Sequence, residues 1–316
     1  MRYHQLTSEE RYALSTLRKQ GCSIAQIAKA LGRHRSTICR ELQRNTRKDG
    51  GYRPETAEDF ARWRRARSRR NWHFTDQEFA LVRVCLQAYW SPEQISGRLR
   101  LLGILAISHE TIYRYVWEDW GVGGSLHLFL RGARKQRRKR YRSYDSRGRI
   151  EGKRHISQRP PGAEHRSRFG HLEADTMMGA PDQHCVLTLV DRKAGFVWIG
   201  KLKERTVRAT NRRAVSVIKK APHRIRTITA DNGTEFHGYK DIEARTAARF
   251  YFATPHHSWE RGTSENTNGL IRQFLPRGKS MARLKQKDCD HIANMLNTRP
   301  RKRHGFLTPA EVYEKA

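Results

Sequence analysis

Three acidic residues are the natural place to look for chemistry in this sequence. Asp175 lies inside the run Glu173-Ala174-Asp175-Thr176, whose flanking residues read as a buried strand. A carboxylate in that setting needs a partner, because burying one unpaired costs several kcal/mol. Asp231 directly follows the apolar run Ile225 to Ala230, at the carboxyl end of another strand, where open α/β sheets place their ligands. Glu265 lies on a helix that starts after Gly262. Leu270, Ile271, Phe274 and Leu275 mark the packed side of that helix, and the helical period turns Glu265, Asn268 and Arg272 the other way, toward a cleft or solvent. The intervals between the acids are 55 and 33 residues. Glu173 shares a strand face with Asp175 and is assigned to a structural pair with an Arg or Lys in preference to a ligand role. Asp191 and Glu235 read as turn or supporting acids. His256-His257 near Trp259 reads as a DNA contact or loop packing, since an adjacent pair has poor metal-ligand geometry.

The elements that must position these acids are legible as a series. Short β-type runs cover His171 to Met177, Cys185 to Val190 and Phe196 to Leu202, and a helix covers Thr206 to Lys219. The strand Ile225 to Ala230 follows, then a helix from Tyr239 to Thr246, a strand from Phe250 to Ala253, and helices from Thr263 to Phe274 and Lys287 to Asn297. Three strands followed by alternating helix and strand predict an α/β layer with a mixed five-stranded sheet.

The amino-terminal half has a different grammar. Thr7 with Glu10 forms a capping box before Ala13, Leu14 and Leu17, and Gly21 stops that helix. Ser23 with Gln26 opens a second helix that Gly32 closes, and a third begins near His34. Ile38 and Leu42 share one face of the third, so Arg35, Ser36, Thr37, Arg40 and Arg44 project, with Arg33 just before them. This predicts a helix-turn-helix whose basic third helix suits a major groove; a three-helix core with a merely solvated face is the alternative. The same start signals recur at Ser91-Pro92-Glu93-Gln94 and at Ser108, making His109 and Arg114 candidates in a second reader, or an ordinary helical spacer. Two cationic tracts, Arg62 to Arg70 and Arg131 to Arg142, can bind phosphate by releasing counterions, with Arg137 and Arg138 as candidates in the second; a solvated helix face and a flexible linker are the alternatives. The expected domains are therefore residues 1–60, a helix-turn-helix; 61–125, a second helical DNA-binding region; 126–166, a basic linker; and 167–316, the α/β domain.

The totals agree with a nucleic-acid partner. With 64 Lys plus Arg against 31 Asp plus Glu, the chain of 316 residues carries a formal charge of +33, which a polyanion would neutralise. Its five cysteines are widely spaced with no CxxC pair, against a zinc site or a disulfide framework. No apolar run is long enough to span a bilayer, so a cytoplasmic protein associated with the nucleoid and not with a membrane is expected.

Several motifs in order carry a resemblance: Ser36-Thr37-Ile38 and Arg40-Glu41-Leu42, Glu173-Ala174-Asp175-Thr176, Ala230-Asp231-Asn232-Gly233, Arg261-Gly262-Thr263-Ser264-Glu265-Asn266-Thr267-Asn268-Gly269, Leu296-Asn297-Thr298-Arg299-Pro300 and Thr308-Pro309. Together, with the 33-residue interval, they resemble DDE-class transposases with a ribonuclease-H-like integrase core, the group typified by insertion sequence thirty. Departures are small: His171 and Leu172 stand where an acid and Trp are more usual, and Ser264 where Asn is.

The resemblance implies a multidomain protein, an all-α helix-turn-helix region joined to a ribonuclease-H-like domain, with Asp175, Asp231 and Glu265 as catalytic and metal-binding residues. Two unit charges about 4 Å apart repel by roughly 4 kcal/mol at an effective dielectric of about 20, so three converging carboxylates want a divalent cation. Oxygen ligands favour Mg²⁺, with Mn²⁺ as a substitute, and two ions suit an in-line displacement at phosphate. The implied activity is cleavage at the element's ends and transfer of those ends to target DNA, with Asn266, Asn268 and Arg272 touching DNA. The implied partners are terminal inverted repeats, target DNA, and a second copy in a homodimer or larger complex. Two other readings stay open: a DNA-binding regulator whose second half only oligomerises, and a nuclease that hydrolyses without joining.

Overall fold

The computed structural model describes residues 5–47, 49–69, 74–131, 152–255 and 257–315; Arg137, Arg138 and His256 lie outside these. The chain divides into two compact units, Met1–Asp76 and Gln77–Ala316. Among the described residues no helix is long and apolar enough to cross a membrane.

The first unit is helical: α1 (Ser8–Lys19), α2 (Ile24–Ala30), α3 (Arg35–Asn45) and α4 (Pro54–Arg69). Thr7 and Ser23 cap the first two through reciprocal boxes with Glu10 and Gln26, satisfying amide donors that helix starts leave open. His34 caps α3, its ring accepting the Ser36 amide. Gly32, at φ +59°, makes the left-handed turn between α2 and α3 that a side chain would resist. Leu14, Ile27 and Ile38 meet in the core, with Tyr52 and Ala57 from beyond α3. The Arg11 guanidinium, buried, meets Glu41 at 2.8 Å, and the Tyr52 hydroxyl donates to the same carboxylate at 3.1 Å, tying α1 to α3. The division expected after residue 60 falls inside α4. Ala57 and Ala61, one turn apart, are buried where α4 crosses α1 and α3, so this helix belongs to the first unit despite its arginines.

The second unit begins with α5 (Asp76–Gln87), α6 (Pro92–Leu101) and α7 (His109–Gly121), held around Val82, Leu86, Ile95, Ile107, Ile112 and Val116. This helical segment docks on the chain's end. Arg98 grips Glu311 with two hydrogen bonds of 2.6 and 2.9 Å, and Gly97 lets the Phe306 ring approach so closely that a Cβ would stand 2.4 Å from it. The short helix α8 (Pro161–Glu164) then leads into the sheet.

Five strands follow, β1 (His171–Met178), β2 (Cys185–Asp191), β3 (Val197–Leu202), β4 (Thr227–Ala230) and β5 (Arg249–Phe252), in spatial order β3-β2-β1-β4-β5. The first three pair antiparallel, and β4 and β5 join parallel to β1, the mixed five-stranded sheet that the order of strands and helices predicts. One face packs on α9 (Val207–Lys220) and α10 (Tyr239–Thr246) through Leu187, Ile228, Phe250, Val215 and Ile242. The other packs on α11 (Gly262–Ile271) and α12 (Gln286–Asn297) through Val186, Val190, Ile199, Leu270, Ile292 and Leu296, and α13 (Pro309–Glu314) closes the chain.

Residues two apart on a strand share a face, so Glu173, Asp175 and Met177 all point toward α11. Glu173 is fully buried there. One of its oxygens pairs with Arg192, itself buried and donating through Nε to the Ala163 carbonyl at 2.9 Å. The other accepts the amide of Ser264 at 2.7 Å, in the first turn of α11. Glu173 thus clamps the helix that carries Glu265 onto the strand that carries Asp175. Truncating one member of a buried pair leaves the other charge unmatched, which typically costs about 3–5 kcal/mol. Glu173→Ala should lose stability on that scale in urea unfolding, and Glu173→Gln, which retains an acceptor for the Ser264 amide, should lose less.

Candidate active site

The parallel register pairs Glu173 of β1 with Thr229 of β4, so each chain carries an aspartate two residues further on, Asp175 and Asp231. The two carboxylates are met by one guanidinium. Arg261 Nη1 stands 3.6 Å from Asp175 Oδ1, and its Nη2 stands 3.5 Å from Asp231 Oδ2. Nη1 also reaches the Ala174 carbonyl at 3.4 Å, while Nε is buried without a hydrogen-bond partner.

The second oxygen of Asp175 is fixed from α11: Asn268 Nδ2 donates to Oδ2 at 2.7 Å. Thr188, opposite Asp175 in the β1–β2 register, donates to Asn268 Oδ1 at 3.1 Å and so sets the amide's orientation. The Thr176 amide donates to Asp175 Oδ1 at 2.9 Å. Burial pushes the Asp175 carboxyl up to about 6; Arg261 opposes that rise, and the charge of Asp231 reinforces it. Beside the pair, Glu235 is buried with Arg205 at 2.7 Å and the Thr176 hydroxyl at 2.5 Å. Burial alone would raise its carboxyl, but those hydrogen bonds hold it below the usual range. Glu235 therefore supports the rim through Arg205, and Asp191 closes a turn by accepting the Gly170 and Ala194 amides.

Glu265 is on the other side of the same opening. One hollow, of about 440 Å³, is lined by Asp175, Thr176, Arg205, Asp231 and Thr234. A second, of about 460 Å³, shares Asp175 and Thr176 with it and adds Arg261, Glu265, Asn268 and Arg272. Glu265 is exposed, and among the described residues it has no ion-pair or hydrogen-bond partner. Among those residues, too, no three His, Cys, Asp or Glu side chains gather closely enough to hold a metal ion. Asp175 and Asp231 thus form a pair, and Glu265 lines the adjoining hollow that Asp175 also borders. The place between the two aspartates is taken by Arg261, whose charge answers theirs.

The other expected site residues separate in the same way. Asn268 and Arg272 face the cleft, as the helical period required, but Arg272 is half-buried and donates to the Leu275 and Met178 carbonyls at 3.3 and 3.2 Å. Asn266 is exposed and accepts from Arg131 at 3.2 Å. In the first unit, Arg35, Arg40 and Arg44 are exposed, and Thr37, Arg40 and Arg44 line a groove with Arg64. Ser36 is engaged with the His34 cap, and Arg33 is committed to Glu10 at 2.7 and 3.1 Å. On α7, His109 and Arg114 are exposed among Glu110, Glu118 and the aromatics Tyr113, Trp117 and Trp120. His257 stacks on Trp259 at 4.3 Å.

Sequence reasoning missed Arg261, Arg205 and Arg192 as partners of the acids. The available signal was electrostatic: acids buried in a chain with such an excess of arginine must have been matched by some of it.

Comparisons with known proteins bear on both units. Residues 2–45 match the family model of a helix-turn-helix domain. The catalytic core domain of BIV integrase aligns with the fold at 15% identity and a TM-score of 0.37, covering 46% of this chain and 94% of that one. The transposase for insertion sequence element IS4351 of Bacteroides fragilis is 42% identical over 311 residues, 98% of this chain and 95% of that protein. Transposase InsI for insertion sequence element IS30A of Escherichia coli is 34% identical over 98% of this chain and 83% of its own length. With that identity running through both the DNA-reading and the sheet-bearing units, the chain belongs to the family of transposases of the insertion sequence IS30 type.

Proposed function

We propose that Asp175, Asp231 and Glu265 are the catalytic acids with which this transposase cleaves the ends of its element and joins them to target DNA. The observation that carries this reading is the pairing of β1 with β4. It sets Asp175 and Asp231 on one cation, with Glu265 across the same cleft. The residues suit a divalent cation. Their donors are all carboxylate oxygens, and Arg261 marks the space between two of them as one that takes positive charge. Bound there, Mg²⁺ or its substitute Mn²⁺, as one ion or the two expected, supplies Lewis acidity toward phosphate oxygens and lowers the pKa of water or of a 3′-hydroxyl.

The chain's own residues do the rest. Asp175 on β1 and Asp231 just past the end of β4 would hold the cation, and Asn268 fixes the orientation of the Asp175 carboxylate through Oδ2. Glu265 completes the set from α11, whose start is fixed by Glu173. The Thr37, Arg40 and Arg44 face of α3 reads the element's ends, with Arg35 at the helix start reaching the adjoining phosphate or base edge. Asn266 and the anchored Arg272 position the strand at the cleft. Arg137 and Arg138 add phosphate contacts. Among the acids and aromatics of α7, His109 and Arg114 make a poorer groove surface than α3 does. Two ends must be held together for transfer, so the active assembly is a dimer or larger, working on nucleoid DNA in the cytoplasm.

Two experiments test this. With a duplex carrying the element's end, a target duplex and Mg²⁺, Asp231→Asn should cut and join at least about a thousandfold more slowly than the parent, a loss of about 4 kcal/mol of transition-state stabilisation, while binding the end as well as before. Transfer at the parental rate would refute the assignment. For the reading helix, Arg40→Ala should weaken end binding, and the slope of log affinity against log salt should become shallower by about one if its contact is to phosphate. Fluorescence anisotropy at several salt concentrations measures both.

A further inference from the structure

The geometry of Arg261 points to a role that no motif discloses: we propose that it is the resident counter-cation of the metal-free site, occupying the place between Asp175 and Asp231 and leaving it when a divalent ion binds. The inference rests on the reading of those two aspartates as metal ligands. Four features carry it.

Arg261, though mostly buried, is held more loosely than the chain's other well-buried arginine pairs and as loosely as its exposed ones, Arg47–Asp49, Arg62–Asp59 and Arg245–Asp241. Its two contacts are 3.5 and 3.6 Å, against 2.8 Å for Arg11 on Glu41, 2.7 Å for Arg33 on Glu10 and 2.6 Å for Arg98 on Glu311. Charge-assisted hydrogen bonds normally lie near 2.7–2.9 Å, so Arg261 bridges the acids by charge without the fork-on-carboxylate fit that would lock it. Its position also leaves Nε buried and without a partner, as is the case for Arg159 and Arg299, so the guanidinium is incompletely satisfied where it lies.

The other two features concern what it excludes. An ion coordinated by Asp175 and Asp231 would sit about 2.0–2.1 Å from their oxygens and repel a guanidinium lodged between the same oxygens. Finally, Arg261 is the last residue before α11 and lies four positions ahead of Glu265. While it answers the aspartates, Glu265 is left unpartnered on the far wall. Once it leaves, an ion on the aspartates has no competing cation between itself and Glu265. A DNA phosphate in the cleft offers the displaced guanidinium a new anionic partner, so ion and DNA favour each other's binding.

The test is binding of Mn²⁺ to the full chain without DNA, followed by the loss of the free-ion electron paramagnetic resonance signal. Arg261→Gln should bind Mn²⁺ about tenfold more tightly than the parent. Arg261→Lys, whose single ammonium cannot span both acids, should fall between them, and it decides the matter should the Gln variant fail to fold. Asp231→Asn should bind more weakly than the parent. Unchanged or weaker Mn²⁺ affinity in the Arg261 variants, with Asp231→Asn still impaired, would overturn the role of Arg261 alone. An Asp231→Asn variant binding as the parent does would overturn the ligand reading on which it rests.

Discussion

Two carboxylates set side by side by a parallel strand pair require a positive charge between them, and much of the second unit is arranged around that requirement. The register of β1 and β4 brings Asp175 and Asp231 to the same end of the sheet, where their like charges repel. The guanidinium of Arg261 supplies such a charge, from the junction where the loop after β5 turns into α11. The most variable geometry of the site is therefore delegated to a long, flexible side chain, and the most demanding geometry to paired backbone.

The third acid is positioned by a different physics. Glu265 is placed by the packing of α11, and that packing is registered to β1 by one buried carboxylate, Glu173, which faces Arg192 on one side and the Ser264 amide on the other. Asn268, one turn after Glu265, ties the same helix to Asp175. The helix is thus pinned to the strand at two points about a turn apart. Its apolar side, Leu270 and Ile271, is seated on the sheet at the same time. Such a double anchorage restricts both rotation and sliding, so Glu265 faces the cleft although, among the described residues, its carboxylate has no hydrogen-bond or ion-pair partner.

Most of the second unit's elements could be read in advance because their signals are local. Alternation, a terminal aspartate and a glycine turn foretell β4 and Asp231, and the helical period alone places Glu265, Asn268 and Arg272 on one side of α11. A helix face is one reading of the first arginine tract, but the start of α4 at Pro54 and its packing into the first unit are hidden, because the small alanines 57 and 61 give no apolar stripe within an arginine-rich stretch. Arg33 projected by spacing but is held by Glu10, from a helix earlier in the chain. Arg261 was unreadable for the same reason: its partners lie 86 and 30 residues away, 261 less 175 and 261 less 231, and only the fold brings them together.

The excess of basic residues sharpens what each acid reveals. With 64 Lys plus Arg to 31 Asp plus Glu, an acid of structural value is readily met by a well-seated arginine. Glu10, Glu41, Glu235 and Glu311 are met at 2.6–2.8 Å, and Glu173 is met by Arg192 inside the core. Asp175 and Asp231 share one arginine at 3.5–3.6 Å, and Glu265 has none among the described residues. Exposed acids such as Asp49, Asp59 and Asp241 are met as loosely, at 3.5–3.6 Å, but Asp175, Asp231 and Glu265 line one opening. In a chain with cations to spare, weak pairing combined with a shared cleft distinguishes them from the buried structural acids, and it leaves each free to take a more highly charged partner than an arginine.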